Sequence, residues 1–83
     1  MKLTIRYFAS VREAIGTGVE TLESSAATLA ALRDELVARG GAYASSLGRG
    51  KALRVSCNQL MCDETFEIAE GDEVGFFPPV TGG

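Results

Sequence analysis

The sequence predicts an α+β roll, in which a mixed sheet of about five strands carries one main helix on one face. Three observations support this fold class: short alternating apolar segments typical of strands, a single segment with helical periodicity, and turn residues between them. The chain has 83 residues, of which 46% are hydrophobic and 23% charged. We therefore expect a single compact domain, 1–83, with a thin core.

The first strand is predicted from residues 2–8, where apolar and polar side chains alternate. Its core-facing residues are Leu3, Ile5 and Tyr7. The alternation places Phe8 on the opposite, polar face. A polar stretch at 11–15 and a glycine-containing turn at 16–18 then lead to a second strand at 19–22. We expect these two strands to form a hairpin with an elaborated turn.

The helix is predicted to begin near Thr28, where the period of the apolar residues changes to helical spacing. Gly40 and Gly41 mark its end. Residues 43–51 are expected to form a loop or a loose helical turn. A third strand at 53–57 follows, since apolar and polar residues alternate there again.

The remaining elements complete the predicted sheet. A turn at Asn58-Gln59 connects the third strand to a short return strand at 60–62, and Phe66 and Ile68 are assigned to the core. A turn at 70–72 leads to a final strand at 73–77. This order of strands and helix is typical of a β-grasp, or ubiquitin-like, fold.

Charge and composition exclude several classes of function. A net charge of −3 and a pI near 4.8 do not provide the clustered basic surface that nucleic acid requires. No apolar run approaches the roughly 20 residues that span a bilayer, and the start of the chain does not resemble a signal peptide. We therefore expect no nucleic-acid partner, no membrane partner and a cytoplasmic location.

Metal binding and independent catalysis are also disfavoured. The chain contains no histidine, and its two cysteines, Cys57 and Cys62, lack the spacing of a metal site. Without histidine, no serine or cysteine has an obvious activating base. The glycine-containing segment 48–51 superficially resembles a phosphate-binding loop. However, Ser45 stands where the first glycine of that motif belongs, and Ala52 stands where its magnesium-binding hydroxyl belongs. Six clustered carboxylates are interpreted as solvated turns that could attract a basic partner: Asp63, Glu64, Glu67, Glu70, Asp72 and Glu73.

The most informative segment is 74–83, which has no charged side chain and ends in Gly82-Gly83. The prolines Pro78 and Pro79 favour an extended exit from the sheet, so 78–83 is predicted to form a C-terminal tail. Glycines without side chains can enter a narrow channel. Such a tail could deliver the carboxylate of Gly83 into another protein's active site, where adenylation with ATP would allow sulfur to replace the adenylate.

The sequence Phe-Phe-Pro-Pro-Val-Thr-Gly-Gly at 76–83, preceded by Glu-Gly-Asp-Glu-Val at 70–74, resembles the end of the molybdopterin synthase small-subunit family, MoaD. The segment Phe-Ala-Ser-Val-Arg-Glu at 8–13 and the turn at 58–59 also resemble that family. The resemblance covers nearly the whole chain and is weakest at 42–52.

This resemblance implies a sulfur carrier of β-grasp fold that binds no cofactor itself. A MoeB-like enzyme would use ATP to adenylate Gly83, and a sulfur-donating system would convert it to a thiocarboxylate. The tail would then enter a MoaE-like large subunit, within a heterotetramer that converts cyclic pyranopterin monophosphate to molybdopterin. Gly82 would serve as a flexible neck.

The resemblance also implies which residues contact the partner. Phe8, Met61 and Phe77 match family positions at the interface, and the tail contributes Pro78, Pro79, Val80 and Thr81. For Met61 a core-filling role is an equal alternative, because methionine fills irregular gaps readily. Cys62 is not expected to carry sulfur, since its acidic neighbours Asp63 and Glu64 oppose thiolate formation.

Two other functions remain open at this level. A related carrier could serve thiamine thiazole, cysteine or tRNA thiolation, with the same fold and the same Gly-Gly end. A ubiquitin-like modifier or interaction module could use the sheet or Gly83 without any sulfur chemistry.

Overall fold

The computed structural model describes residues 1–79, which form a five-stranded sheet with three helices. In chain order, the elements are β1 (Lys2–Tyr7), α1 (Ala9–Ile15), β2 (Val19–Glu23), α2 (Leu29–Val37), α3 (Gly41–Leu47), β3 (Arg54–Cys57), β4 (Leu60–Cys62) and β5 (Glu73–Phe77). The strand order is β2-β1-β5-β3-β4, and the central pair β1–β5 is parallel while the other pairs are antiparallel. The predicted mixed sheet and α+β class are confirmed.

The core lies between one face of the sheet and the helices. Strand β1 contributes the three side chains that its alternation predicts, and α2 contributes an apolar stripe that excludes water from them. The most deeply buried apolar residues of these elements and of β5 are Leu3, Ile5, Tyr7, Leu29, Leu32, Leu36, Val74 and Phe76. Helix α2 begins as predicted, because the Thr28 hydroxyl accepts a hydrogen bond from the Ala31 N–H at 3.2 Å.

Two short helices correct the sequence prediction. Helix α1 occupies the segment 11–15, which was expected to be a polar stretch without regular structure, and it ends at Gly16, whose φ of 91° is left-handed. Helix α3 gives regular structure to part of 43–51, where a loop or a loose helical turn was expected. Each helix has seven residues, and its buried anchor is Val11 or Leu47 respectively. So short an element cannot repeat its apolar spacing often enough to produce a clear helical signal.

The assignment of Phe66 to the core is wrong, whereas that of Ile68 is confirmed. Phe66 is 42% exposed and Ile68 is 8% exposed. The Phe66 segment is held through its backbone, because its carbonyl accepts the Leu29 N–H at 3.1 Å. The Glu64 carbonyl similarly accepts the Ala30 N–H at 2.9 Å. These bonds satisfy amides of the first turn of α2 and leave the Phe66 ring without a role in the core.

The predicted turn between β3 and β4 is confirmed as a two-residue connection. Asn58 and Gln59 have φ values of 52° and 69°, as a type I′ hairpin requires. The Asn58 side chain donates to Asp72 and accepts from the Glu73 N–H, both at 3.0 Å. The hairpin is thereby fastened to the start of β5. Within residues 1–79, no helix has the length and apolar character needed to cross a membrane.

Candidate functional site: an aromatic groove beside the tail

Phe8 and Phe77 form a stacked pair at one edge of the sheet. Phe8 directly follows β1, and Phe77 is the last residue of β5. Because these strands are parallel neighbours, with Tyr7 opposite Phe76, their C-terminal ends coincide. The Phe8 N–H donates to the Phe76 carbonyl at 3.1 Å, and the ring centroids of Phe8 and Phe77 lie 4.3 Å apart at an angle of 3°. Residues 69 positions apart thus share one surface.

Gly75 lies beneath this aromatic pair, on the same face of the sheet. A Cβ atom there would lie 3.2 Å from a ring carbon of Phe8 and 3.2 Å from a ring carbon of Phe77. It would also lie 2.6 Å from the Ser56 hydroxyl oxygen on the neighbouring strand β3. The missing side chain therefore allows both rings to lie close against the sheet.

The pair forms one wall of a surface groove of about 520 Å³. The groove is lined by Phe8, Ala9, Arg54, Met61, Phe77, Pro78 and Pro79. Arg54 lies opposite Phe77, and Met61 lies opposite Ser56, so the antiparallel register brings both to this face. Met61 is 58% exposed, which shows that it does not fill the core.

The groove contains five of the residues predicted to contact a partner: Phe8, Met61, Phe77, Pro78 and Pro79. Their contact with a partner stays a prediction, but the structure shows that they share one apolar surface. The remaining predicted positions, Val80, Thr81, Gly82 and Gly83, lie outside the described residues.

Both thiols lie in environments that disfavour the thiolate. Burial and the adjacent Asp63 carboxylate raise the pKa of Cys62. Burial and a contact of 3.4 Å with Asp72 raise the pKa of Cys57 to about 12. A thiol must ionise to act as a nucleophile, so this geometry agrees with the prediction that Cys62 does not carry sulfur. Cys57 is buried, whereas Cys62 is partly buried.

The acidic stretch contributes much of its charge to internal contacts. Glu64 accepts from both Arg33 and Arg49, and Glu73 pairs with Arg6 at 3.2 Å. Glu70 accepts the Lys2 N–H at 3.1 Å. Among residues 1–79, no three cysteine or carboxylate side chains lie close enough to hold a metal ion. The segment 48–51 has its own structural role, because Arg49 also pairs with Asp34 at 2.9 Å.

Sequence reasoning missed two groove residues, Ala9 and Arg54, and also missed Gly75, which lies beneath the aromatic pair. The signal for Gly75 was a glycine inside a strand, which often marks a close approach of other groups. The signal for Arg54 was its alternation with the buried Val55, which places it on the outer face. Neither signal indicates which distant residues share that face.

Comparison with known proteins gives matches along almost the whole chain. Residues 5–83 match the ThiS family. The molybdopterin synthase sulfur carrier subunit of Haemophilus influenzae is 42% identical over 81 residues, covering 98% of this chain and 99% of that protein. The subunit of the same name from Escherichia coli is 38% identical with the same coverage.

Solved structures are similar over the full length. SAMP1, a small archaeal modifier protein from Haloferax volcanii, superposes with a TM-score of 0.78 at 25% identity and covers 100% of both chains. A chain from the complex of subunits 1 and 2 of the molybdopterin-converting factor of Helicobacter pylori superposes with a TM-score of 0.70 at 21% identity, also with 100% coverage of both. At this identity the second likeness supports the fold alone.

Proposed function

The chain belongs to the ThiS family, and from this premise we propose that it is the sulfur carrier subunit of a molybdopterin synthase. The observation that carries the proposal is the near-full-length similarity to two curated carriers of that name, at 42% and 38% identity. The geometry supports it, because an exposed aromatic groove lies where the chain leaves β5 toward its Gly-Gly segment.

The proposed chemistry requires a free carboxylate at Gly83 and no catalytic side chain in this chain. A MoeB-like enzyme binds ATP, and a carboxylate oxygen of Gly83 attacks the α-phosphate, so that an acyl adenylate forms and pyrophosphate leaves. A sulfide equivalent from a sulfur-donating system then attacks the carbonyl carbon. The new C–S bond replaces the C–O bond to AMP, and a thiocarboxylate results.

The groove's proposed role is to position this tail on a MoaE-like large subunit. Phe8, Met61 and Phe77 present apolar surface that water solvates poorly, so a complementary partner surface would bind there. Gly82 and Gly83 then extend into the partner, which holds cyclic pyranopterin monophosphate. Each carrier delivers one sulfur atom, so the molybdopterin dithiolene requires two deliveries. We expect this cycle to take place in the cytoplasm.

The intact mass of the protein from its native cells tests sulfur carriage. We expect a form that is heavier by the difference between one sulfur and one oxygen, with the change mapped to Gly83 by fragmentation. A variant without Gly83 is the control and should lack this form. If sulfur-replete cells yield only the free acid, the proposal is wrong.

Reconstitution then distinguishes the pathways. The thiocarboxylate form, mixed with the large subunit and cyclic pyranopterin monophosphate, should yield molybdopterin. If it carries sulfur but yields no molybdopterin, the related carrier functions in thiazole, cysteine or tRNA thiolation take precedence.

Protein modification is a second candidate, favoured by the structural likeness to a small archaeal modifier. It predicts conjugates of higher mass in cells that disappear when Gly83 is deleted. If Gly83-dependent conjugates accumulate while no thiocarboxylate is found, the modifier function replaces the sulfur carrier.

A further inference from the structure

Arg54 differs from most of the other arginines in this chain. Within residues 1–79, four arginines form ion pairs with carboxylates: Arg6, Arg33, Arg39 and Arg49. The guanidinium of Arg54 forms no ion pair with any residue in 1–79, although the side chain lines the groove. A full positive charge therefore lies at the rim of an otherwise apolar surface.

Two carboxylates that line a second depression together with Arg54 already have other partners. These carboxylates are Asp63 and Glu64. Asp63 accepts from the Thr65 N–H at 2.9 Å and from its hydroxyl, while Glu64 accepts from Arg33 at 2.9 Å. Within residues 1–79, the positive charge of Arg54 is thus not neutralised by an ion pair.

Docking of a partner onto the groove would withdraw water from Arg54, because Arg54 lies directly opposite Phe77 in the sheet register. A charge that loses water without gaining a partner weakens a complex. The planar guanidinium matches a carboxylate with two parallel hydrogen bonds, which a neutral acceptor cannot equal.

From these contacts we propose that Arg54 selects the partner by pairing with an aspartate or glutamate that borders the surface covering the groove. This inference depends on the proposed function, since it takes the occupant to be the large subunit of molybdopterin synthase. It adds a chemical requirement to that subunit: an apolar contact for the phenylalanine pair, flanked by a carboxylate.

Titration calorimetry with the purified large subunit from the same organism tests the pairing. Arg54→Glu should weaken binding by about tenfold or more, because it places two carboxylates together. The matched control is Lys2→Glu, which makes the same charge change at an exposed position toward the other end of β1 and outside the groove. Lys2→Glu should change the affinity by less than about threefold, as expected for a peripheral charge.

A zero-length carbodiimide cross-link identifies the partner group directly. This reagent joins a lysine amine to a carboxylate, so Arg54→Lys should give a cross-linked peptide between residue 54 and an aspartate or glutamate of the large subunit. Native Lys2 and Lys51 provide internal comparisons.

The outcomes separate the two proposals. If the unmodified chain does not bind the large subunit, the proposed function fails, and the role of Arg54 fails with it. If the unmodified chain binds but Arg54→Glu behaves like Lys2→Glu, only the role of Arg54 is overturned. If Arg54→Glu weakens binding but residue 54 cross-links to no carboxylate, charge pairing is again refuted.

Discussion

The buried Arg33 should be the most costly charged residue to replace. Its side chain is only 4% exposed and donates to the carbonyls of Leu47, Gly48 and Lys51 at 2.6, 2.7 and 2.8 Å. It also pairs with Glu64 at 2.9 Å. These bonds connect α2 to the end of α3 and to the segment that leads into β3. Arg33 therefore fixes the segment immediately before the groove.

Arg33→Met preserves helix propensity and much of the side-chain volume but removes all four bonds. Breaking a buried, hydrogen-bonded ion pair costs about 3–5 kcal/mol, since its former partners stay desolvated. A domain of this size has a total unfolding free energy of about 4–12 kcal/mol. The substitution should therefore remove a large part of the stability. Urea denaturation followed by circular dichroism measures the loss.

Arg49→Met is the matched control, because Arg49 contacts the same Glu64 but is 49% exposed. An exposed ion pair contributes about 1 kcal/mol or less, so this variant should unfold near the wild-type midpoint. If Arg33→Met loses no more stability than Arg49→Met, the buried carbonyl contacts do not stabilise the fold as argued.

Three further predictions concern the sheet and the thiols. Gly75→Ala should destabilise the fold by about 1–2 kcal/mol in thermal unfolding, because the new methyl group overpacks against Ser56 and the aromatic pair. Combining Gly75→Ala with Ser56→Ala should recover part of the lost stability. If the stability changes of the two single variants are strictly additive in the double variant, the steric explanation is contradicted. Burial opposes ionisation of Glu20, but hydrogen bonds from one arginine and two tyrosines outweigh it and lower its pKa. The contribution of Glu20 to the free energy of unfolding is therefore fully present above its ordinary pKa of about 4.5 and is lost as the pH falls through the lowered value. The melting temperatures of wild type and Glu20→Gln should therefore differ at pH 7 and converge in acid, and a constant difference would refute this. At pH 8 a maleimide should label Cys62 faster than Cys57, and equal rates would show that Cys57 is not protected.

Much of the fold could be predicted because its signals are local. Alternation along β1 separates core residues from Phe8, and the Thr28 cap with helical spacing locates α2. These patterns depend only on neighbours a few positions apart. The same local chemistry predicted the turn at 58–59.

The aromatic groove depended on contacts between segments that are distant in sequence. Only the parallel pairing of β1 with β5 places the Phe8 ring on Phe77, and only the register of β3 adds Arg54 to that surface. The burial of Arg33 and the exposure of Phe66 likewise depended on which backbone groups lay nearby. The sequence by itself determined the strand patterns and helix α2, and it predicted a role for the Gly-Gly end, because these signals reside in adjacent residues. The tertiary structure decided which side chains meet around the exit of that end, because strand pairing brings together groups that no local pattern connects.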